Sequence, residues 1–381
     1  REENNMEKIR VCVVGCGRIA TLNVMGYRDY PYAEVYAVCD LNRERAEIFA
    51  RETGASKIYT DYEEVLKDPD IDAVELLVPH HLHCSMTVKA CEAGKHVSVQ
   101  KPMALSLEEC DRMIGAAKKA GVKLKVYENF VFYPPYVKAK ELIEQGEIGE
   151  PLTIRIKMNA GNNKHGWSVD PAAWAWRMEE SKSGGGELVF DDGNHKFSIA
   201  RYFMGEPESV FAYIGKSMME GETFIKKDGT RIPFYQDAPS MITWRCKGGE
   251  RYGVFDITWS KDLEISSDYY ACDERVEITG TKGVLWITRC TGKMLQVPTL
   301  ILYRDGQTIE YNNLRDDWAD SFIDSTRDFM EAIKNDRLPV LTGEDGREVL
   351  KFSLAAMRAA AENRPVEVDS MEDYGKEGER I

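Results

Sequence analysis

The chain has no CxxC pair, no internal repeat, no low-complexity linker and no excess of positive charge, and no apolar run approaches the roughly 18 to 20 residues of a membrane helix. Each absence excludes a class. Nine cysteines without pair spacing argue against a disulfide framework and for free thiols in a reducing cytosol. A balance of 64 acidic to 50 basic side chains, formal charge −14, repels phosphate backbones and anionic bilayers, so neither nucleic acid nor membrane is an expected partner. The polar start, Arg1 to Asn5, lacks the apolar core of a signal peptide. What is present is material for two cores: 381 residues, 43% of them hydrophobic, exceed what one core usually serves.

Up to about residue 128, short apolar β-rich runs alternate with segments of helical period. The runs are Ile9 to Val14, Val35 to Cys39, Ala73 to Val78, His96 to Val99 and Lys123 to Tyr127, several of them apolar enough for burial on both faces. Between them, Ser106 with Glu109 forms a capping box, and Gly54, Gly94 and Gly121 stand where left-handed residues end helices. Strand, helix, strand in succession predicts a doubly wound parallel sheet whose ligand edge is the carboxyl ends of its strands. After a helix around Tyr136 to Gln145 the period becomes two: Leu152, Ile154, Ile156 and Met158 alternate with Thr153, Arg155 and Lys157. Similar strands follow at Val210 to Ile214, Met241 to Arg245, Tyr252 to Thr258, Arg275 to Thr279 and Val284 to Thr288. The expected fold is α/β: a Rossmann domain at 1–130, then at 131–381 an α+β domain with a large, open, mostly antiparallel sheet.

The first strand runs into Gly15-Cys16-Gly17-Arg18-Ile19-Ala20, which fits GxGxxG/A. Gly15 permits the turn, Gly17 lets the backbone approach a pyrophosphate, and the helix start behind Arg18 and Ile19 offers N–H groups to phosphates. Asp40 ends the second strand, where a carboxylate accepts from ribose hydroxyls and repels a 2′-phosphate. NAD is therefore expected over NADP, with Arg18 and Arg43 softening the preference.

On these residues the chain resembles the Gfo/Idh/MocA family of glucose-fructose oxidoreductase and inositol dehydrogenase type, from about Ile9 to about Val368. The matching segments are Gly15 to Ala20; Val78-Pro79-His80-His81-Leu82-His83; Gly94 to Val97 leading into Gln100-Lys101-Pro102; Trp176-Arg177; Gly184 to Gly186; and Asp191-Asp192-Gly193-Asn194-His195. The resemblance implies reversible hydride transfer between a nicotinamide and a secondary alcohol of a sugar, cyclitol or related compound. It also implies a homo-oligomer formed through the open sheet of the second domain. By position, Lys101 matches the family's substrate-hydroxyl lysine, His195 its catalytic histidine and Asp191 the acidic residue before it. Pro79, His80, His83, Gln100, Lys101 and Asn129 join Gly15, Gly17, Arg18, Ile19 and Asp40 as the implied cofactor set. Three departures stand out. Gln100 replaces a glutamate, Ser198 stands where many members have an acid, and the stretch from Gly184 to His195 is one residue longer than the common pattern.

Taking hydride from a carbinol carbon requires a base for the hydroxyl proton and a donor for the developing negative charge, tasks suited to His195 and Lys101. Asp191, four residues before His195, is expected on the same helical side, orienting the ring. The site is expected in the cleft between the domains. Its substrate wall is expected from Tyr133, His165, Trp167, Trp176, Arg177 and Asp192, since apolar sugar faces stack on aromatic rings. His80, His81 and His83, with Asp191 and Asp192, match no metal-site spacing, so no metal is expected. The Asp-Asp-Gly-x-His-Lys variant is similar to glycoside 3-oxidoreductases of the family, which oxidise glucose C3. Inositol or free-sugar dehydrogenation is the alternative within the class, and a catalytically silent NAD-binding sensor the alternative outside it.

Overall fold

The structure is a computed structural model describing residues 8–167, 174–225 and 229–372. It divides into two compact units, the first comprising Arg1–Asn129 and Phe322–Glu348, the second Phe130–Ser321 and Val349–Ile381. Phe322–Glu348 thus returns to the first unit, which corrects the expectation of one boundary near residue 130. The helix Trp318–Lys334 carries Phe329 and Met330 into the first core, where they pack with Val11, Val35, Phe49 and Ala50.

The first unit holds six parallel strands: β1 (Ile9–Val14), β2 (Ala33–Cys39), β3 (Lys57–Tyr59), β4 (Ala73–Leu76), β5 (His96–Gln100) and β6 (Leu124–Tyr127), in the order β3-β2-β1-β4-β5-β6. Five were expected. β3 was missed because it is a three-residue edge strand, half-buried throughout, with no apolar run to announce it. All of β4 is buried, as two covered faces require. The helix Leu107–Ala120 shows how local sequence sets its ends. Ser106 Oγ accepts from Glu109 N at 3.2 Å, and Gly121 closes it at φ 69°. The Glu109 carboxylate reaches Leu105 N at 3.0 Å, so the returning arm of the box lands one residue earlier than in the usual pattern.

The second unit is built on nine strands: β7 (Pro151–Asn162), β8 (Pro207–Ile214), β11 (Ser240–Cys246), β12 (Tyr252–Glu264), β13 (Cys272–Gly280), β14 (Gly283–Ile287), β15 (Leu300–Arg304), β16 (Gln307–Tyr311) and β17 (Val366–Glu367). Their order is β16-β15-β14-β13-β7-β12-β11-β8-β17, antiparallel except where β12 pairs with β7. A separate hairpin joins β9 (Ser217–Ile225) and β10 (Arg231–Gln236). The expected alternation holds: Ile154, Ile156, Met158 and Ala160 of β7 are buried while Arg155 is exposed and Lys157 half-buried, its ammonium 3.1 Å from Asp256 on β12. The helix Gly193–Met204 is buried through its first eight residues, with Phe197 against Phe255 and Phe352.

All nine cysteines are free thiols, eight of them buried. Among the described residues no helix is long and apolar enough to cross a membrane.

Candidate active site

In the first unit the cofactor candidates share one edge, because parallel strands deliver all their carboxyl ends to the same side. Gly15 and Gly17 follow β1, Asp40 follows β2, Pro79 and His80 follow β4, Gln100 and Lys101 end or follow β5, and Asn129 follows β6. Gly15 has φ 96°, its N–H donates to Cys39 O at 2.8 Å, and an added Cβ would lie 2.3 Å from Leu77 O, so no other residue fits there. At Gly17 an added Cβ meets nothing within 4 Å, which leaves its backbone open to a ligand phosphate. Arg18 is exposed and Ile19 half-buried at the start of the helix Ala20–Asn23.

Asp40 does structural work as well. Its Oδ2 accepts from Cys16 N at 2.9 Å and its Oδ1 from Asn42 N at 2.8 Å, with Arg45 3.7 Å away. The carboxylate thereby fixes the glycine turn from the side. His83 is wholly buried, and its Nδ1 and Nε2 each lie 2.9 Å from a main-chain oxygen, of Pro102 and Val78 respectively. It ties the loop after β4 to the loop carrying Lys101, which makes it a support of the cofactor edge. His80 is also buried, its ring 5.6 Å from that of His83. Among the described residues no group of three or more His, Cys, Asp or Glu is arranged to hold a metal ion.

In the second unit the glycines lead into a π-helical turn, Glu187–Asp191, directly before the helix Gly193–Met204. In this turn Asp192 N donates to Glu187 O at 2.9 Å, a ring one residue wider than that of an α-helix. Asp237 holds the turn by accepting from Leu188 N and Val189 N at 2.8 and 2.7 Å, and a Cβ on Gly186 would lie 2.1 Å from its Oδ2. Asp191 therefore closes a π turn, and the expectation that it shares an α-helical face with His195 is corrected. Its Oδ2 accepts from Arg177 Nε at 2.9 Å. The Arg177 guanidinium also lies 3.9 Å from the Trp174 ring and 4.4 Å from the Trp176 ring. Tyr270 meets Trp174 and Trp167 at 6.0 and 5.1 Å. Burial pushes the half-buried Glu187 carboxyl up to about 7, against the Arg177 guanidinium and the amide of Gln236, whose Nε2 donates to it at 2.9 Å.

His195 is buried, its ring stacked on Phe130 at 4.1 Å and 20°. The next residue, Lys196, is fully enclosed and lies 2.5 Å from Asp192 and 3.3 Å from Glu274. Burial works against its charge, but the two carboxylates prevail and hold it above the ordinary lysine range.

Tyr133 and His165, both expected in the substrate wall, stand in different surroundings. Tyr133 is a core residue: it is fully buried and its hydroxyl donates to Asp316 O at 3.0 Å. His165 is exposed in a turn next to the Lys164–Glu264 ion pair. The segment 168–173, within the aromatic stretch, lies outside the described residues.

Residues 9–128 match the family described as oxidoreductase family, NAD-binding Rossmann fold, and residues 140–368 match its C-terminal alpha/beta domain. The chain belongs to the Gfo/Idh/MocA oxidoreductase family. The myo-inositol 2-dehydrogenase of Thermotoga maritima is 29% identical over 368 residues, which span 95% of this chain and 99% of that protein. The levoglucosan dehydrogenase of Pseudarthrobacter phenanthrenivorans is 32% identical over 218 residues, 55% of this chain and 54% of that one. A solved levoglucosan dehydrogenase in complex with NADH and L-sorbose shares the fold, with a TM-score of 0.80 and 24% identity over 95% of this chain and 99% of that chain.

As a Gfo/Idh/MocA member the chain is an NAD-binding oxidoreductase, and the edge built around Gly17 and Asp40 fits that cofactor. Sequence reasoning missed Phe130, Glu187, Gln236, Asp237, Tyr270 and Glu274. One signal was available. Glu274 has the same parity as Val276 and Ile278 in a strand of period two, so a carboxylate was written into a core position. Phe130 and Asp237 carried no such mark.

Proposed function

We propose that this chain oxidises a secondary ring hydroxyl of a neutral sugar or glycoside with NAD, with C3 of a glucoside as the favoured position. The observation that carries the reading is the second unit's cluster: an enclosed imidazole, His195, in the same chain segment as the Arg177–Asp191 pair, whose guanidinium lies against two tryptophan rings. Aromatic faces suit the C–H faces of a pyranose, and the ion pair supplies donors and acceptors for hydroxyls. Both cations of the cluster, Arg177 and Lys196, are engaged by carboxylates, which favours an uncharged ligand.

NAD held by Gly15, Gly17 and Asp40 would supply the acceptor for the hydride that leaves the carbinol carbon. His195 takes the hydroxyl proton, Lys101 donates to the oxygen as negative charge develops, and Asp191 with Arg177 orients the sugar. Gly15 and Gly17 supply the phosphate turn and Asp40 the ribose acceptor. The names of the inositol- and levoglucosan-acting relatives support a cyclic polyol substrate. The half-exposed side chains Tyr213, Met241, Tyr252 and Tyr303, on one face of the open sheet, support a homo-oligomer formed through that face.

The test is absorbance at the reduced-nicotinamide band with NAD and a panel of glucosides, free hexoses and inositols, for the wild type, Lys101→Ala and His195→Ala. Glucosides are expected to turn over, and each variant to lose about a hundredfold or more in rate while NAD binding persists. Turnover of inositols alone would move the substrate to the alternative class. Binding of NAD with no product by mass spectrometry would favour a sensor.

A further inference from the structure

A fully enclosed lysine is a costly thing to build, and in this chain it stands next to the histidine. Lys196 contacts two carboxylates, Asp192 just before its own helix and Glu274 on β13. Glu274 is fixed in turn, accepting from Thr291 N at 3.0 Å and from Thr291 Oγ1 at 3.1 Å. The Lys196 ammonium also lies 4.9 Å from the centroid of the Phe130 ring, on which the His195 imidazole stacks at 4.1 Å. One aromatic ring thus carries both the cation and the imidazole. Stability does not account for the arrangement, because buried ion clusters replaced by apolar side chains of similar volume usually lose nothing.

We propose that Lys196 and Glu274 are positioning residues for His195, acting through Phe130. Thr291 and β13 hold Glu274, Glu274 holds Lys196, the ammonium holds the Phe130 ring, and the ring holds the plane of the imidazole. Asp192, drawn to the same ammonium, keeps the first turn of the helix Gly193–Met204 in register with its histidine. A displacement of about 1 Å at a reacting group lowers rates about a hundredfold, so such a chain has an effect far larger than its contribution to folding. The inference rests on His195 being the base of the proposed reaction.

The experiment pairs Lys196→Met with Glu274→Met in one chain, which removes both charges and keeps the volume. Phe130→Leu removes the ring, Phe130→Tyr keeps it, and His195→Gln tests the underlying reading. The melting temperature of the Met pair is expected to match the wild type. With the panel sugar that the wild type turns over, kcat of the Met pair and of Phe130→Leu is expected to fall tenfold or more. KM and NAD affinity should stay within about threefold, as for lost orientation without lost binding. Phe130→Tyr should restore kcat. A readout independent of any substrate is the histidine ring resonances, only six in the chain and so assignable with His195→Gln. The His195 ring proton should be shifted upfield by Phe130, and should move in both Phe130→Leu and the Met pair. Wild-type kcat and an unmoved His195 resonance in the Met pair would overturn the inference, even with His195→Gln inactive. An active His195→Gln would instead overturn the reading of His195 as base.

Discussion

Among the described residues each unit of the chain encloses one lysine completely, and the two are treated in opposite ways. In the first unit Lys125 donates to Ser325 Oγ at 2.8 Å and to the Ser325 carbonyl, while the buried Glu75 accepts from Asn23 Nδ2 at 2.8 Å and Tyr27 hydroxyl at 3.0 Å. Burial lowers Lys125 to about 8 and raises Glu75, so both are drawn toward neutrality. In the second unit Lys196 touches two carboxylates and is drawn toward charge. The first arrangement is a polar seam that docks the helix containing Ser325, and neutral partners suffice for it. The second keeps a charged ammonium beside His195 even though burial raises the Glu274 carboxyl, in a place where orientation matters more than cost.

Removing each ammonium breaks the comparison most sharply. Lys196→Met leaves Glu274 as an uncompensated buried carboxylate and is expected to cost about 3 to 5 kcal/mol in urea unfolding. Lys125→Met leaves a hydroxyl and a carbonyl that lose one donor, and about 1 to 2 kcal/mol is expected. Equal losses would mean that the two lysines do the same job.

The pH dependence sharpens it. Lys125 has a folded value of about 8, below the ordinary 10.5, so between these limits the unfolded chain binds more protons than the folded one. Its burial penalty is present in full below pH 8, and stability is expected to rise toward pH 10.5, by an amount on the order of 3 kcal/mol. Lys125→Met should flatten that rise in unfolding titrations. Glu187 behaves in the opposite sense in the second unit. Its folded value of about 7 lies above the ordinary 4.5, so its contribution is complete below pH 4.5 and lost as pH rises through 7. Glu187→Gln should remove this loss, on the order of 2 kcal/mol after allowance for partial exposure.

The cofactor edge makes a milder test of what a charge is for. Asp40→Asn keeps the shape but sets a donor against the Cys16 and Asn42 amides, or withdraws an acceptor from the ribose. About a tenfold weaker NAD affinity and a smaller preference over NADP are expected by fluorescence titration, about 1.4 kcal/mol. An unchanged preference would remove Asp40 from the ribose site.

These differences also explain what could be read in advance. The first unit's site is mostly backbone at strand ends, and Gly15, Gly17 and Asp40 announce it within one strand-helix-strand unit. The second unit's site is made of side chains brought from Phe130, the π turn, Gln236, Tyr270 and Glu274, far apart in sequence and joined only by folding. Asp191 and His195 were legible because they share a short segment. The π turn left no pattern in the sequence that fixes its geometry, and Tyr133 was misread because aromatic composition does not distinguish a core ring from a substrate wall.

Ser106 offers the smallest effect and a control for the rest, being local, in the first unit and outside both lysine clusters. Its hydroxyl satisfies the Glu109 amide, one of the N–H groups left over at the start of the helix Leu107–Ala120. Ser106→Ala removes that acceptor and is expected to cost about 1 kcal/mol, whereas Ser106→Gly, which leaves the amide open to water, costs only a few tenths. Thermal unfolding of the two variants should therefore separate in that order with activity unchanged. If Ser106→Ala instead lowered turnover, the helix would be coupled to the cofactor edge, and the division between a docking seam and a working site would fail in the first unit.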